Sequence, residues 1–187
     1  MRIIAGTYGG RILAAPADRS IRPAMDRVRG TIFNMLQNRI ALDGASVLDL
    51  FAGSGSLGFE CLSRGAARCL FVDSDEQALA VIRRNAELLA CADRCDIVAD
   101  DAQAFLSRAG GRYHLCFADP PYAYEATGGL PGLVSASGVL APGALLIIEH
   151  TRKLRFAPAP GFAEIARKEF GSTVVTFFSH HAKESDR

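Results

Sequence analysis

The tetrapeptide Asp119-Pro120-Pro121-Tyr122 sets a carboxylate, a rigid backbone carbonyl and an aromatic ring side by side. That combination suits one difficult task. Exocyclic amines of nucleobases are poor nucleophiles, because the nitrogen lone pair is delocalised into the ring. A carboxylate and a carbonyl that accept the two N–H bonds pull the nitrogen toward tetrahedral geometry and aim its lone pair. The consecutive prolines keep the Pro120 carbonyl stiff and outside helical pairing. Tyr122 offers a ring face to a base swung out of its helix or loop. Without a strand before it, the same tetrapeptide is only a stiff turn with a buried ring.

A second constellation lies upstream, in the run VLDLFAGSGSLG over residues 47–58. An apolar strand pattern carrying Asp49 runs into Gly53, Ser54 and Gly55, and then into a helix-compatible stretch. Glycines there permit positive φ and close approach of a ligand, and the helix start adds unpaired N–H groups. Gly53, Gly55 and Gly58 also match the dinucleotide fingerprint, with Asp73 twenty residues beyond Gly53. Two features oppose a nicotinamide cofactor. Asp49 stands where such folds keep the strand apolar, and no second domain with hydride chemistry follows. A carboxylate beside the loop suits the cationic sulfonium and ammonium of S-adenosylmethionine better than a phosphate. Asp73 would then accept ribose hydroxyls, and Asp101 the adenine amine.

The elements that must position these groups alternate. Strands are expected over 47–50, 69–72, 97–99, 113–118 and 145–148. Helices are expected over 56–64, 76–89, through Leu106, and across 129–137. This rhythm argues for a parallel sheet covered on both faces. Residues 162–170 and 173–178 read as an antiparallel pair closing one sheet edge. Asp49 falls late in the first strand, while Asp73, Asp101 and Asp119 fall at the ends of the next three. That is the ligand-binding edge of an open α/β sheet, although Asp73 or Asp101 alone would also serve as a helix N-cap. Ahead of this pattern, residues 1–16 read as a β-hairpin and 19–25 as a linker. A helix capped by Asp26 follows, with Val28, Ile32, Met35 and Leu36 on one face, leaving Arg27 and Arg29 available to a partner. The expected division is an RNA-facing extension over 1–24 and one catalytic domain over 25–187.

Bulk properties agree with a globular enzyme. The 187 residues carry a net charge of +1, unevenly spread. Residues 1–39 hold seven arginines against Asp18 and Asp26, and the remainder is net acidic. A solvated arginine face is the plain reading, and a nucleic-acid partner the sharper one. Five cysteines with no CxxC pair and four histidines without ligand spacing give no metal site and point to a reducing cytoplasm. No apolar run is long enough to span a membrane, and the N-terminus lacks a secretory pattern.

The segments RIIAGTYGGRIL, RPAMDRVRGTIFNML, VLDLFAGSGSLGFECLSRGA, FVDSD and ADPPY together resemble the RsmD family of bacterial 16S ribosomal RNA guanine-N2 methyltransferases, over almost the whole chain. The chain departs from that pattern at Ala24, Met25 and Gly30. The resemblance implies an α/β class I S-adenosylmethionine-dependent fold, Rossmann-like, with a seven-stranded, mostly parallel sheet and an antiparallel C-terminal strand. A small N-terminal hairpin and helix would extend it. The resemblance further implies methylation of one guanine amine in 16S rRNA, on an assembled small subunit; the protein is expected to be a cytoplasmic monomer. Carried over by position, Asp119 and Pro120 would hold the amine and Tyr122 would stack on the base. Asp49, Phe51, Ala52, Gly53, Ser54, Gly55, Asp73, Asp101 and Ala102 would bind the cofactor, and Arg11, Arg22, Arg27 and Arg29 would grip RNA phosphate. The tetrapeptide alone does not separate guanine from adenine. An adenine-N6 methyltransferase on DNA or RNA is therefore the nearest alternative, followed by a non-catalytic RNA-binding module on the same fold.

Overall fold

The computed structural model describes residues 1–15 and 23–181. Seven strands form one sheet: β1 (Ser46–Leu50), β2 (Arg68–Asp73), β3 (Cys95–Ala99), β4 (Tyr113–Ala118), β5 (Leu140–Thr151), β6 (Phe162–Phe170) and β7 (Thr173–His180), in the order β3-β2-β1-β4-β5-β7-β6. The first five run parallel, and β7 inserts antiparallel between β5 and β6. The order reverses between β1 and β4, so a crevice is expected beyond the C-terminal ends of those two strands.

Strand alternation sorts the core into two layers. Val47, Phe71, Leu115, Phe117, Leu145 and Ile147 face one side, under α1 (Pro23–Leu36), α2 (Ser56–Ser63) and α3 (Glu76–Leu89). Leu48, Val72, Cys116, Leu146 and Ile148 face the other, under α4 (Ala102–Arg108) and α5 (Leu130–Ser137). Both faces of the central strands are covered, which is why their sequences read as continuous apolar runs.

Three expectations change in detail. β5 is longer than residues 145–148, because Leu140 pairs with Tyr113 before a register shift that precedes Leu115. The first helix starts at Pro23, where a missing N–H costs nothing, so Asp26 lies inside its first turn rather than capping it. The stretch expected as a linker is therefore helical from Pro23, and residues 19–22 lie outside the described residues. The N-terminal hairpin shrinks to one antiparallel bridge, Arg2 with Ile12.

The physical reason is competition for backbone donors. The N–H groups of Ile4 and Ala5 donate to the Glu60 carboxylate at 2.7 and 3.1 Å. Those of Thr7 and Tyr8 donate to the Ser63 carbonyl at 2.7 Å and the Ser63 hydroxyl at 2.9 Å. Ile3 and Leu13 are buried in the first core layer, so the arm is packed onto the domain. Glu60 itself is fully buried and pairs with Arg64 at 2.8 Å. Replacing Glu60 by Ala leaves Arg64 and two amides without their acceptor, which should cost about 3 kcal/mol in urea unfolding. Hydrogen exchange at Ile4 and Ala5 should accelerate before the sheet amides change.

Candidate active site

The turn from β1 into α2 is built on left-handed backbone at Phe51 (φ 57°), Gly53 (φ 57°) and Gly55 (φ 76°). Asp73, the last residue of β2, holds this turn in place. One of its oxygens accepts from the Gly53 N–H at 2.8 Å and the other from the Asp75 N–H at 2.9 Å. Gly58 serves packing, since a Cβ there would lie 2.3 Å from the Phe71 ring. Its N–H donates to Asp49 at 3.0 Å. Asp49 is 2 % exposed, and that burial pushes its carboxyl well above the usual range. The Gly58 bond opposes the rise, while Asp119 and then Asp73 add to it.

Asp101 is the N-cap of α4, accepting from Gln103 at 2.9 Å and Ala104 at 3.0 Å. Ala102 is buried directly behind it. Tyr124 approaches from the loop after β4, and its ring meets Phe51 edge-on at 4.9 Å. The Tyr124 hydroxyl is buried with no hydrogen-bond partner among the described residues. Burial and then the charge of Asp101 raise its pKa.

Asp119 follows β4 on the same sheet face as Asp49. The loop after it opens a cavity of about 140 Å³, lined by Pro120, Pro121, Tyr122, Tyr124, Glu149 and His150 among others. Tyr122 is 67 % exposed, with its hydroxyl 2.9 Å from the Thr173 hydroxyl. Its ring is thus tethered at the tip and open on its face. His150 is buried and hydrogen-bonded to the Thr176 hydroxyl and to the Thr151 carbonyl at 2.8 Å each.

The structure therefore brings the glycine turn, Asp49, Asp73, Asp101 and the Asp119–Tyr122 loop to one sheet edge. The arginines do not behave alike. Arg27 is exposed. Arg11 is exposed, but its guanidinium caps the end of α3 through the Leu88 and Leu89 carbonyls. Arg22 lies outside the described residues. Arg29 corrects the expectation of availability: it is 4 % exposed, bonded to the Arg2 carbonyl and to Asp26 at 3.0 Å. It lies on the side of α1 that the N-terminal arm covers, so it fastens the arm and does not face a partner.

Two residues at the site went unread in the sequence. Tyr124 had no signal beyond its closeness to Asp119. Glu149 looked like the polar end of an apolar strand.

The donor set fits S-adenosylmethionine. A buried carboxylate among other carboxylates is what a sulfonium and ammonium ligand would stabilise, and the unpaired Tyr124 hydroxyl awaits a polar partner beside Asp101. Among the described residues, no cluster of His, Cys, Asp and Glu is arranged to hold a metal ion, all five cysteines are free thiols, and no helix is long and apolar enough to cross a membrane.

Sheet order and carboxylate edge together define an S-adenosylmethionine-dependent methyltransferase of the class I fold. The chain belongs to the family described as Conserved hypothetical protein 95, whose model matches residues 1–179, and the RsmD resemblance is borne out at that level. Ribosomal RNA small subunit methyltransferase D of Escherichia coli is 37 % identical over 175 residues, 94 % of this chain and 87 % of that protein. YlbH of Bacillus subtilis is 36 % identical over 182 residues, 95 % of this chain and 98 % of that protein. The solved structure of Escherichia coli yhhF superposes with a TM-score of 0.86 at 31 % identity, covering 98 % of this chain and 99 % of that one.

Burial, and then the neighbouring Asp119, push the Glu149 carboxyl up to about 8. The folded protein thus keeps a proton that the unfolded chain, at the ordinary value of 4.5, has lost. Stability should fall as pH rises between these two values. Asp119→Asn should move the Glu149 titration, followed by 13C NMR of its carboxyl carbon, downward but not back to the ordinary range, because burial persists.

Proposed function

We propose that this protein transfers a methyl group to the exocyclic N2 amine of one guanine in 16S rRNA, as a cytoplasmic monomer acting on the small ribosomal subunit. The observation that carries this reading is the cavity of about 140 Å³ lined by the Pro120–Tyr122 loop that follows Asp119, at the same sheet edge as the carboxylate-flanked glycine turn. The name of the Escherichia coli relative, a small-subunit rRNA methyltransferase, supports the RNA substrate. The division into an RNA-facing segment over 1–24 and a catalytic domain over 25–187 belongs to the same proposal.

When bound, S-adenosylmethionine supplies an electrophilic methyl group that needs no further activation by the protein. Asp49 and the turn over Phe51, Ala52, Gly53, Ser54 and Gly55 hold its charged end. Asp73, Asp101 and Ala102 hold its nucleoside, with Tyr124 beside them. Asp119 and the Pro120 carbonyl accept the two amine N–H bonds and turn the nitrogen lone pair toward the cofactor. Tyr122 stacks on the extruded base. Asp119 need not be a strong base, because an alkylated aromatic amine loses its extra proton readily to the carboxylate or to water.

RNA phosphate would be gripped by Arg27, by Arg11 at the end of α3, and by Arg22. The cavity rim adds further charge. Arg152, Lys153 and Arg155 are exposed on the turn that follows β5, next to the cavity-lining Thr151 and Leu154.

Labelled methyl transfer to small subunits lacking the modification, followed by nucleoside analysis, should yield N2-methylguanosine at one mapped position. N6-methyladenosine would favour the adenine alternative, and no product with intact cofactor binding would favour a non-catalytic RNA-binding module. Asp119→Ala should reduce kcat on the order of a hundredfold or more while cofactor affinity holds. Arg27→Ala should weaken RNA binding and reduce the salt slope by about one. Arg29→Ala should instead lower the thermal midpoint, since it removes the clamp on the N-terminal arm.

A further inference from the structure

The Asp119 side chain has a neighbour that the proposed chemistry has not used. β4 and β5 are parallel, with Ala118 opposite Ile148, so the next residues on the two strands are Asp119 and Glu149. Neighbouring strands lie about 4.8 Å apart. Alternation places Glu149 with Leu145 and Ile147 on the first core face, and Asp119 with Leu115 and Phe117 on that same face. Glu149 lines the cavity that Pro120, Pro121 and Tyr122 enclose. Among the described residues its carboxyl takes part in no hydrogen bond or ion pair beyond its interaction with Asp119.

We propose that Glu149, on β5 beside Asp119 just past the end of β4, accepts the ring N1–H next to the target amine and thereby selects guanine over adenine. The inference rests on the methyltransferase reading above and specifies how that site tells its bases apart.

The reasoning is one of edge chemistry. Guanine presents two adjacent donors, the N2 amine and N1–H. Adenine presents its N6 amine next to N1, which is an acceptor. A lone carboxylate at an amine-binding site accepts one N–H from either base and so discriminates poorly. A second carboxylate one strand over, once ionised, meets a donor in guanine and a lone pair in adenine. The matching contact is gained in the first case, and in the second two acceptors are left facing each other, desolvated and unpaired. The protonated carboxyl would instead donate to adenine N1, so the preference for guanine should grow as pH rises past about 8. The register supplies that second carboxylate at the spacing of adjacent strands.

The site also explains why Glu149 belongs to a strand and not to a loop. A selectivity group must keep a fixed distance from the group that holds the amine. Here the pairing of Leu145 to Ile148 with Leu115 to Ala118 fixes it.

The probe is 2-aminopurine, which keeps the N2 amine and lacks N1–H. Full-length 16S rRNA, ligated with guanine or 2-aminopurine at the mapped position, is reconstituted into small subunits and methylated by wild type and by Glu149→Gln at about pH 8.5, where the Glu149 carboxyl is largely ionised. Wild type should prefer guanine on the order of a hundredfold in kcat/KM. Glu149→Gln should narrow that preference to about tenfold or less, by losing rate on guanine and little on 2-aminopurine. Cofactor affinity should stay near wild type and the thermal midpoint should not fall, since Gln removes the titrating carboxyl, which separates this from misfolding. Glu149→Asp should recover part of the preference.

Equal losses on both bases, or a wild type indifferent to N1–H, would overturn the proposal while leaving guanine methylation standing. Absence of N2-methylguanosine from wild type on ordinary subunits would instead bring down the methyltransferase reading, and this inference with it.

Discussion

Carboxylates gathered on one edge of a sheet repel one another, and the structure must hold them there against that repulsion. Asp49, Asp73, Asp119 and Glu149 stand at or near the C-terminal ends of four neighbouring strands, and alternation places them on the face that carries Val47, Phe71, Phe117 and Ile147. Asp49 and Glu149 answer burial and crowding with raised pKa values. Asp73 is the exception in kind: both its oxygens are taken by backbone donors of the turns around it. Parallel topology supplies part of the remedy. Helices that follow parallel strands start at this edge, so their N–H groups point at the same carboxylates. Gly58 does this for Asp49, and the first turn of α4 does it for Asp101. What the backbone does not neutralise is left for a cationic ligand, and the edge is thereby suited to a sulfonium rather than a phosphate.

The N-terminal arm is tied to this edge through few, well-chosen contacts. Asn85 on α3 is fully buried; its carbonyl accepts from the Ala14 N–H, and its amide donates to the Ala14 and Ser54 carbonyls. One side chain thus bridges the arm to the glycine turn. Ser54 also donates to the Met1 thioether at 3.7 Å. Glu60 and Ser63 hold the arm to α2, and Arg29 holds it to α1. The N-terminal arm, proposed to meet RNA, is therefore mechanically continuous with the glycine turn, proposed to meet the cofactor. Ordering of either one should be felt at the other through Asn85.

Much of this was legible in the sequence because it is local. Strand-then-helix rhythm gave α3 and β4 to the residue, and the carboxylates at strand ends gave the binding edge. What was not legible depends on contacts between distant segments. Arg29 lies three residues after Asp26 and off the apolar stripe, so periodicity assigns it to solvent. Only the arm folded over α1 makes that side an interior one. Glu60 sits in a helix whose apolar neighbours announce burial, yet nothing nearby announces the Ile4 and Ala5 amides it accepts. The shrunken hairpin has the same origin, since its donors are spent on α2.

Glu149 shows the limit most clearly. In the proposed reaction, the tetrapeptide from Asp119 to Tyr122 would supply what activates an amine and nothing that decides which base bears it. Discrimination requires a group that meets the atom beside the amine, so it must come from the adjoining strand. In sequence that strand is thirty residues away, and its polar end resembles any strand leaving the core. In the proposed site, only the register of β4 with β5 would turn two acidic residues distant in sequence into one recognition edge. Activation can therefore be written in a contiguous motif, while selectivity is written in the pairing of the sheet.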